Sequence, residues 1–107
     1  MLKLDDPDFQ EGARLFNEGR YFEAHEAWEL LWRRTGPSDP GREICQGLIQ
    51  LAAACHHLRQ GSEKGARGCL ENARAHLKGS FAELAGAIER AVGQGASAPL
   101  PKLLASC

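Results

Sequence analysis

The chain has 107 residues, of which 43% are hydrophobic and 25% charged, with a formal net charge of -1 at pH 7. That composition describes one ordinary globular domain, too short for two separate cores. A near-neutral balance whose only adjacent basic pair is Arg33-Arg34 supplies no field to draw nucleic acid or an acidic membrane surface, so neither is expected as a partner.

Taken in chain order, the segment "DPDFQEGARLFNEG" offers Asp6 as an N-cap and Pro7 at the first helical position, with Phe9, Ala13 and Phe16 on one stripe and Gly19 as the stop. A second helix is expected from about Arg20 to Arg34, ending at "TGPSDP". Asp39 and Pro40 then open a third, which runs to about Gln60 before Gly61. It carries no charge from Ile44 to Leu58, and a helix without a charged face is buried on several sides. Ser62 opens a fourth helix with Ala66, Leu70, Ala73 and Leu77 on one face. "SFAE" reads as a capping box (Ser80 with Glu83) before Phe81, Leu84, Ile88 and Val92. From Gly93 the period is lost, which divides the chain into a helical domain over 1–93 and a tail over 94–107, with Leu100, Leu103 and Leu104 able to dock it. No segment alternates with period two. The fold class expected is all-α, a compact multihelical bundle of about five helices around a central buried helix at about 40–60.

The N-terminal "MLKLDDPDFQ" has no apolar run of the signal-peptide kind, and the longest charge-free stretch, "ICQGLIQLAAACHHL", is too short to span a membrane. Cys45, Cys55, Cys69 and Cys107 form no C-x-x-C pair and match no zinc ribbon or finger spacing. Reduced thiols in a cytoplasmic protein are the expectation. The glycines at Gly19 and Gly61 give a repeat-like echo, but their spacing fits no helical repeat array.

The stretch carrying chemistry is "HEAWE", residues 25 to 29. On a wheel of about 100° per residue, His25 falls among Tyr21, Trp28 and Trp32, with Glu29 at the edge of that face and Glu26 turned outward. A carboxylate at such an edge needs a donor, and His25 one turn before it and Arg33 one turn after it are in place. If the second and third helices are antiparallel about residue 37, Gln46 and Gln50 stand level with His25 and Glu29. Their amides would complete a buried His–Glu–Gln cluster. The same residues admit a second reading. In the zinc-protease pattern H-E-x-x-H, two histidines one turn apart hold the metal and the intervening Glu activates water. Here His25 and Glu29 would be ligands, and Glu26 the catalytic base. The cofactor would be a divalent metal: zinc, manganese or iron. A third ligand would come from His56 or His57, from Glu43, or from Glu18.

"GRYFEAHEAWELLW", "QGLIQLAAACHH" and "GSEKGA", in that order and spacing, resemble the family named domain of unknown function 309. Residues that fit its pattern are Gly19, Tyr21, His25, Glu26, Glu29, Trp32, Gln46, Gly47, Leu48, Ile49, Gln50, His56, Gly65 and Ala66. The resemblance implies a compact helical domain and no established reaction, although the label of metal-dependent hydrolase is sometimes attached to the family. The sequence therefore assigns no reaction. The first expectation is a binding or scaffold module that presents an apolar face around Trp28 and Leu31 to a protein partner or to a second copy. The alternative is a metal-dependent hydrolase.

Overall fold

The structure, a computed structural model, describes residues 3–103. It is all-α, with five helices and, among the described residues, no strand: α1 Pro7–Asn17, α2 Tyr21–Arg34, α3 Pro40–Arg59, α4 Glu63–Arg74 and α5 Ser80–Val92. Leu104 and Cys107 lie outside the described residues.

Each helix begins and ends for a local reason. The Asp6 carboxylate accepts from the amides of Asp8 and Phe9, and Asp39 accepts from Gly41, so both aspartates satisfy amides that the first helical turn leaves unpaired. After α1 and after α3 the chain turns through a glycine of positive φ, Gly19 at 80° and Gly61 at 83°. In both turns the next amide reaches back five residues, Arg20 to the Leu15 carbonyl and Ser62 to that of His57. The repeat-like echo is this shared helix stop. Two expected details differ. Gly79, not Ser80, is the N-cap of α5, and it makes no side-chain cap bond, so Ser80 is the first helical residue. Helix α4 ends at Arg74, and Leu77 reaches the core from the turn that follows.

Helix α3 is the centre, packed on α2, α4 and α5. Its small residues let neighbours approach: a Cβ on Gly47 would lie 2.4 Å from the Leu77 side chain. Trp28 is fully buried where α1 meets α2, between Phe9 (centroids 6.4 Å apart) and Phe16 (5.8 Å), and its indole N–H donates to the Phe9 carbonyl at 3.2 Å. Arg34, at the end of α2, closes that pair by bonding both Asp6 and Asp8 at the start of α1. Burial works to raise the Asp6 pKa, but the bonds from Arg34 and the two amides outweigh it and hold the carboxyl below its ordinary 3.8. Arg42 does similar work at the α2–α3 corner. Its guanidinium lies 4.0 Å over the Trp32 ring and donates to the Trp32 and Thr35 carbonyls.

After α5 the chain does not leave the bundle. Residues 94–103 cross the end where α1, α3 and α5 finish, with Ala98 and Leu103 each 6% exposed and Leu100 packed on the core. No helix among the described residues is long and apolar enough to cross a membrane.

Candidate functional site

His25 and Glu29 meet as their i, i+4 spacing requires: His25 Nε2 lies 3.3 Å from Glu29 Oε1, and Arg33 approaches the other carboxylate oxygen at 3.3 Å. Both expected neighbours are therefore in place, Arg33 as a hydrogen-bond donor. The pair is not buried, however; the side chains are 27% and 34% exposed, and the described residues include no buried charged side chain. Glu26 is exposed, as the wheel indicated, and has no ionic partner among the described residues.

The partner on α3 differs from the expected one. Facing Phe22 and His25 across the helix pair are Ala53, His56 and His57, which together line a cleft of about 180 Å³. Gln46 is exposed and lies in a separate polar cleft beside Glu43 and His76. Gln50 is half-buried and is not a partner of His25 or Glu29. The His–Glu–Gln cluster is thus not assembled, and the cause is register. Helical side chains lean toward their own N-terminus. In an antiparallel pair the leans are opposed, so a residue of α2 meets one of α3 farther from the connecting loop than residue counting suggests. The contact lies beyond Gln50, at Ala53 and His56, and the opposed leans supply part of that displacement.

The cleft has a distinctive lining. Phe22, 53% exposed, stacks on His25 at a centroid distance of 6.2 Å and an interplanar angle of 11°. It also meets His56 at 5.5 Å, tilted by 48°, and His56 meets His57 at 6.3 Å. His57 lies against the start of α4, where a Cβ on Gly65 would come within 2.7 Å of its Nδ1. Nδ1 of His25 is buried and has no hydrogen-bond partner. Ala53 forms part of the apolar wall. The result is an open, mostly apolar hollow ringed by one phenyl and three imidazoles. The sequence points to Trp28 and Leu31 as the apolar interaction surface. Those two residues are core, 0% and 3% exposed, and the exposed large apolar residues of α2 are Phe22 and Leu30.

Whether these residues suit a metal can be tested on the donor geometry. His25 and Glu29 offer two ligands one helical turn apart, and His56 borders the same cleft. Yet no group of three His, Cys, Asp or Glu side chains among the described residues converges well enough to hold an ion. Glu43 faces His76 instead, 3.5 Å from its Nδ1, and Glu18 is paired with Arg14 and Arg20. A ligating histidine also needs its second nitrogen fixed by an outer partner, and Nδ1 of His25 has none. The donor set does not fit a zinc, manganese or iron site. The cysteines add nothing to it: Cys45 and Cys55 are buried, and burial pushes the Cys55 thiol up to about 12, far from the thiolate form that metals and nucleophilic chemistry use.

A family model described as "Domain of unknown function (DUF309)" matches residues 9–69, more than half of the chain. No curated protein and no solved structure matches it.

Proposed function

Because the chain belongs to the DUF309 family, whose description assigns no reaction, its function has to be argued from its own surface, and we propose that it is a non-catalytic binding module of the cytoplasm. Its recognition surface is the α2–α3 cleft, and its ligand is a protein partner, not nucleic acid or membrane. The observation carrying this reading is Phe22: a phenyl ring half in water, stacked on His25 and in tilted contact with His56 at the rim of a concave apolar hollow. Scattered exposed apolar residues are common, but an immobilised aromatic beside a preformed pocket is the usual shape of a binding hot spot. The hollow, about 180 Å³, is close to the roughly 150 Å³ that holds a benzene ring in a protein interior. It suits one large apolar side chain of the partner. Leu30 lies two turns farther along α2 and extends the contact, with Glu26 and Arg33 beside it to set orientation by charge.

The test is to pan a displayed peptide library on the full chain and on Phe22→Ser, a surface change that should leave stability within about 0.5 kcal/mol. Binders with one large apolar anchor are expected. They should lose at least about tenfold in affinity on Phe22→Ser and should shift the amide resonances of Ala53 and His56. Binders indifferent to Phe22, or none at all, overturn the reading. So would stoichiometric zinc, manganese or iron in protein purified without chelator that disappears in His25→Ala, since that result belongs to the hydrolase alternative.

A further inference from the structure

The α2–α3 cleft gathers three of the four histidines of the chain, His25, His56 and His57, beside Phe22 and Ala53. No Asp, Glu, Lys or Arg side chain lines it. Its wall is therefore built from groups of the kind that carry charge in acid and none in mild base. Balancing charges around the cleft are few. On α2, Glu29 lies 3.3 Å from His25 and shares its carboxylate with Arg33, Glu23 pairs with Arg20, and Glu26 is exposed. On α3, Arg59 is engaged elsewhere, its guanidinium donating to the carbonyls of Ala96 and Ala98. From α4, the uncharged Gly65 lies against His57, Glu63 pairs with Arg67, and Lys64 is exposed. Among the described residues the histidines with a carboxylate beside them are His25 and His76, so His56 and His57 have none.

Protonation then bears unequally on the empty and the occupied cleft. While the cleft is open, the three half-buried imidazoles reach water. His56 and His57 also sit in the last turn of α3, where the helix dipole favours positive charge. An apolar side chain seated in the hollow excludes that water and brings no counter-charge, so a charged imidazole beside it loses its solvation. Proximity adds to the cost: the rings of His56 and His57 are 6.3 Å apart, and two cations at that distance repel more strongly once water is displaced. Occupant and protons therefore compete for the cleft. Resting on the reading that this cleft docks a partner, we propose that docking is released by acid: the hollow holds an uncharged apolar anchor while His56 and His57 are neutral and expels it when they protonate. His25 contributes least, because Glu29 balances its charge in place. The sign follows from linkage. Binding that expels protons is strongest on the alkaline side of the imidazole titration and weakens on the acid side, by up to about tenfold per pH unit for each proton expelled.

The experiment uses the full chain and the library peptides recovered at pH 8 that need Phe22. They are resynthesised with capped termini and without Asp, Glu, His or Cys, so that the peptide itself does not titrate between pH 5 and pH 8. Affinity is measured by calorimetry from pH 8 to pH 5.5, and circular dichroism establishes that the chain keeps its helices throughout. Binding should weaken by at least about tenfold at pH 5.5. It should also release protons, read at pH 6.5 from the heats in buffers of different ionisation enthalpy. His56→Gln combined with His57→Gln, polar but unable to titrate, should bind at pH 8 within about threefold of wild type and lose most of the pH dependence. Because His57 packs on Gly65, that pair may be replaced, should it fail to fold, by His56→Gln alone, which should cut the acid loss by about half on a logarithmic scale. His25→Gln should leave most of the profile in place. A flat profile, tighter binding in acid, or a full acid loss in the folded His56→Gln variants overturns the proposal and leaves the cleft standing as a docking site. If no peptide needs Phe22, the docking reading itself fails, and acid release falls with it.

Discussion

Two glycines inside helices, Gly12 in α1 and Gly68 in α4, look alike in the sequence, and the structure gives their replacement by alanine opposite signs. In a helix interior this substitution is worth up to about 1 kcal/mol of stability through propensity alone. At Gly68 a Cβ would meet nothing within 4 Å, so Gly68→Ala should realise most of that gain. At Gly12 the Cβ would lie 2.2 Å from Trp28 Nε1 and 2.4 Å from its Cδ1, closer than any real contact. The indole is fully buried between Phe9 and Phe16 and cannot swing outward. Displacing it costs about 1–3 kcal/mol as overpacking. Breaking its bond to the Phe9 carbonyl costs a further 1–3 or so for a buried unpaired group. Set against the propensity gain, Gly12→Ala should lose about 3 kcal/mol, within limits of about 1 and 5. For a domain of this size that lowers the melting temperature by at least about 4 °C, against a small rise for Gly68→Ala. Urea denaturation followed by far-ultraviolet circular dichroism measures both. Repeating Gly12→Ala on a Trp28→Phe background tests the cause, because the smaller ring without an N–H should remove much of the penalty. If Gly12→Ala matches Gly68→Ala, or the penalty persists undiminished in Trp28→Phe, the packing of α1 on α2 described above is wrong.

Asp6→Ala should cost about 1 kcal/mol at pH 7 as a lost N-cap. Since the native Asp6 carboxyl titrates below its ordinary 3.8, that stability is present above the unfolded value and vanishes as pH falls through the native one. Wild type and variant should therefore converge in acid denaturation, and a difference that persists at low pH would contradict the Asp6–Arg34 contact. His25→Ala should cost less than about 1 kcal/mol in urea denaturation, because a half-exposed i, i+4 pair contributes no more than that. A loss above about 2 would restore the expectation of a buried structural cluster. In native protein at pH 8 an alkylating agent should modify Cys69 before Cys55, which should react only at the rate of unfolding, since burial holds its thiol up to about 12. Peptide mapping against time reads both rates, and comparable labelling of the two would show that α3 is not the closed centre of the bundle.

What the sequence disclosed tracks how local each feature is. Asp6, Gly19, Asp39 and Gly61 act on amides and carbonyls within a few residues of themselves, so helix ends could be read from punctuation alone. Where two local signals competed, the sequence misled. Gly79 and Ser80 both suit an N-cap, and the glycine took the position because its backbone lies at φ 62°. The His25–Glu29 pair lies within one helix and emerged from the wheel, as did the Arg33 donor to Glu29. What lies across from it depends on interhelical register, which no wheel contains. Gly12 was invisible for the same reason: its role exists only once Trp28 is laid against α1.

That distinction also separates the cleft from the strap, residues 94–103, that follows α5. Every residue lining the aromatic and imidazole cleft falls within residues 9–69, the segment that matches the family. Asn17 and Arg59, whose side chains bond the main chain of the strap, fall there too. The cleft therefore lies within the matched segment, and the strap lies outside it. Both meet at one end of the bundle, where Tyr21 and Phe22 begin α2 and His56 to Arg59 finish α3. Arg59 ties the two: it grips the strap through Ala96 and Ala98 while its guanidinium sits 6.0 Å from the Tyr21 ring, next in sequence to Phe22. A partner seated on Phe22 and a strap seated on Arg59 thus bear on the same two helix ends. The cleft can be tested through Phe22 without disturbing the strap, whereas any change at Arg59 touches both, and for that reason Asn17, which meets the strap at Leu103, is the cleaner probe of how the strap is held.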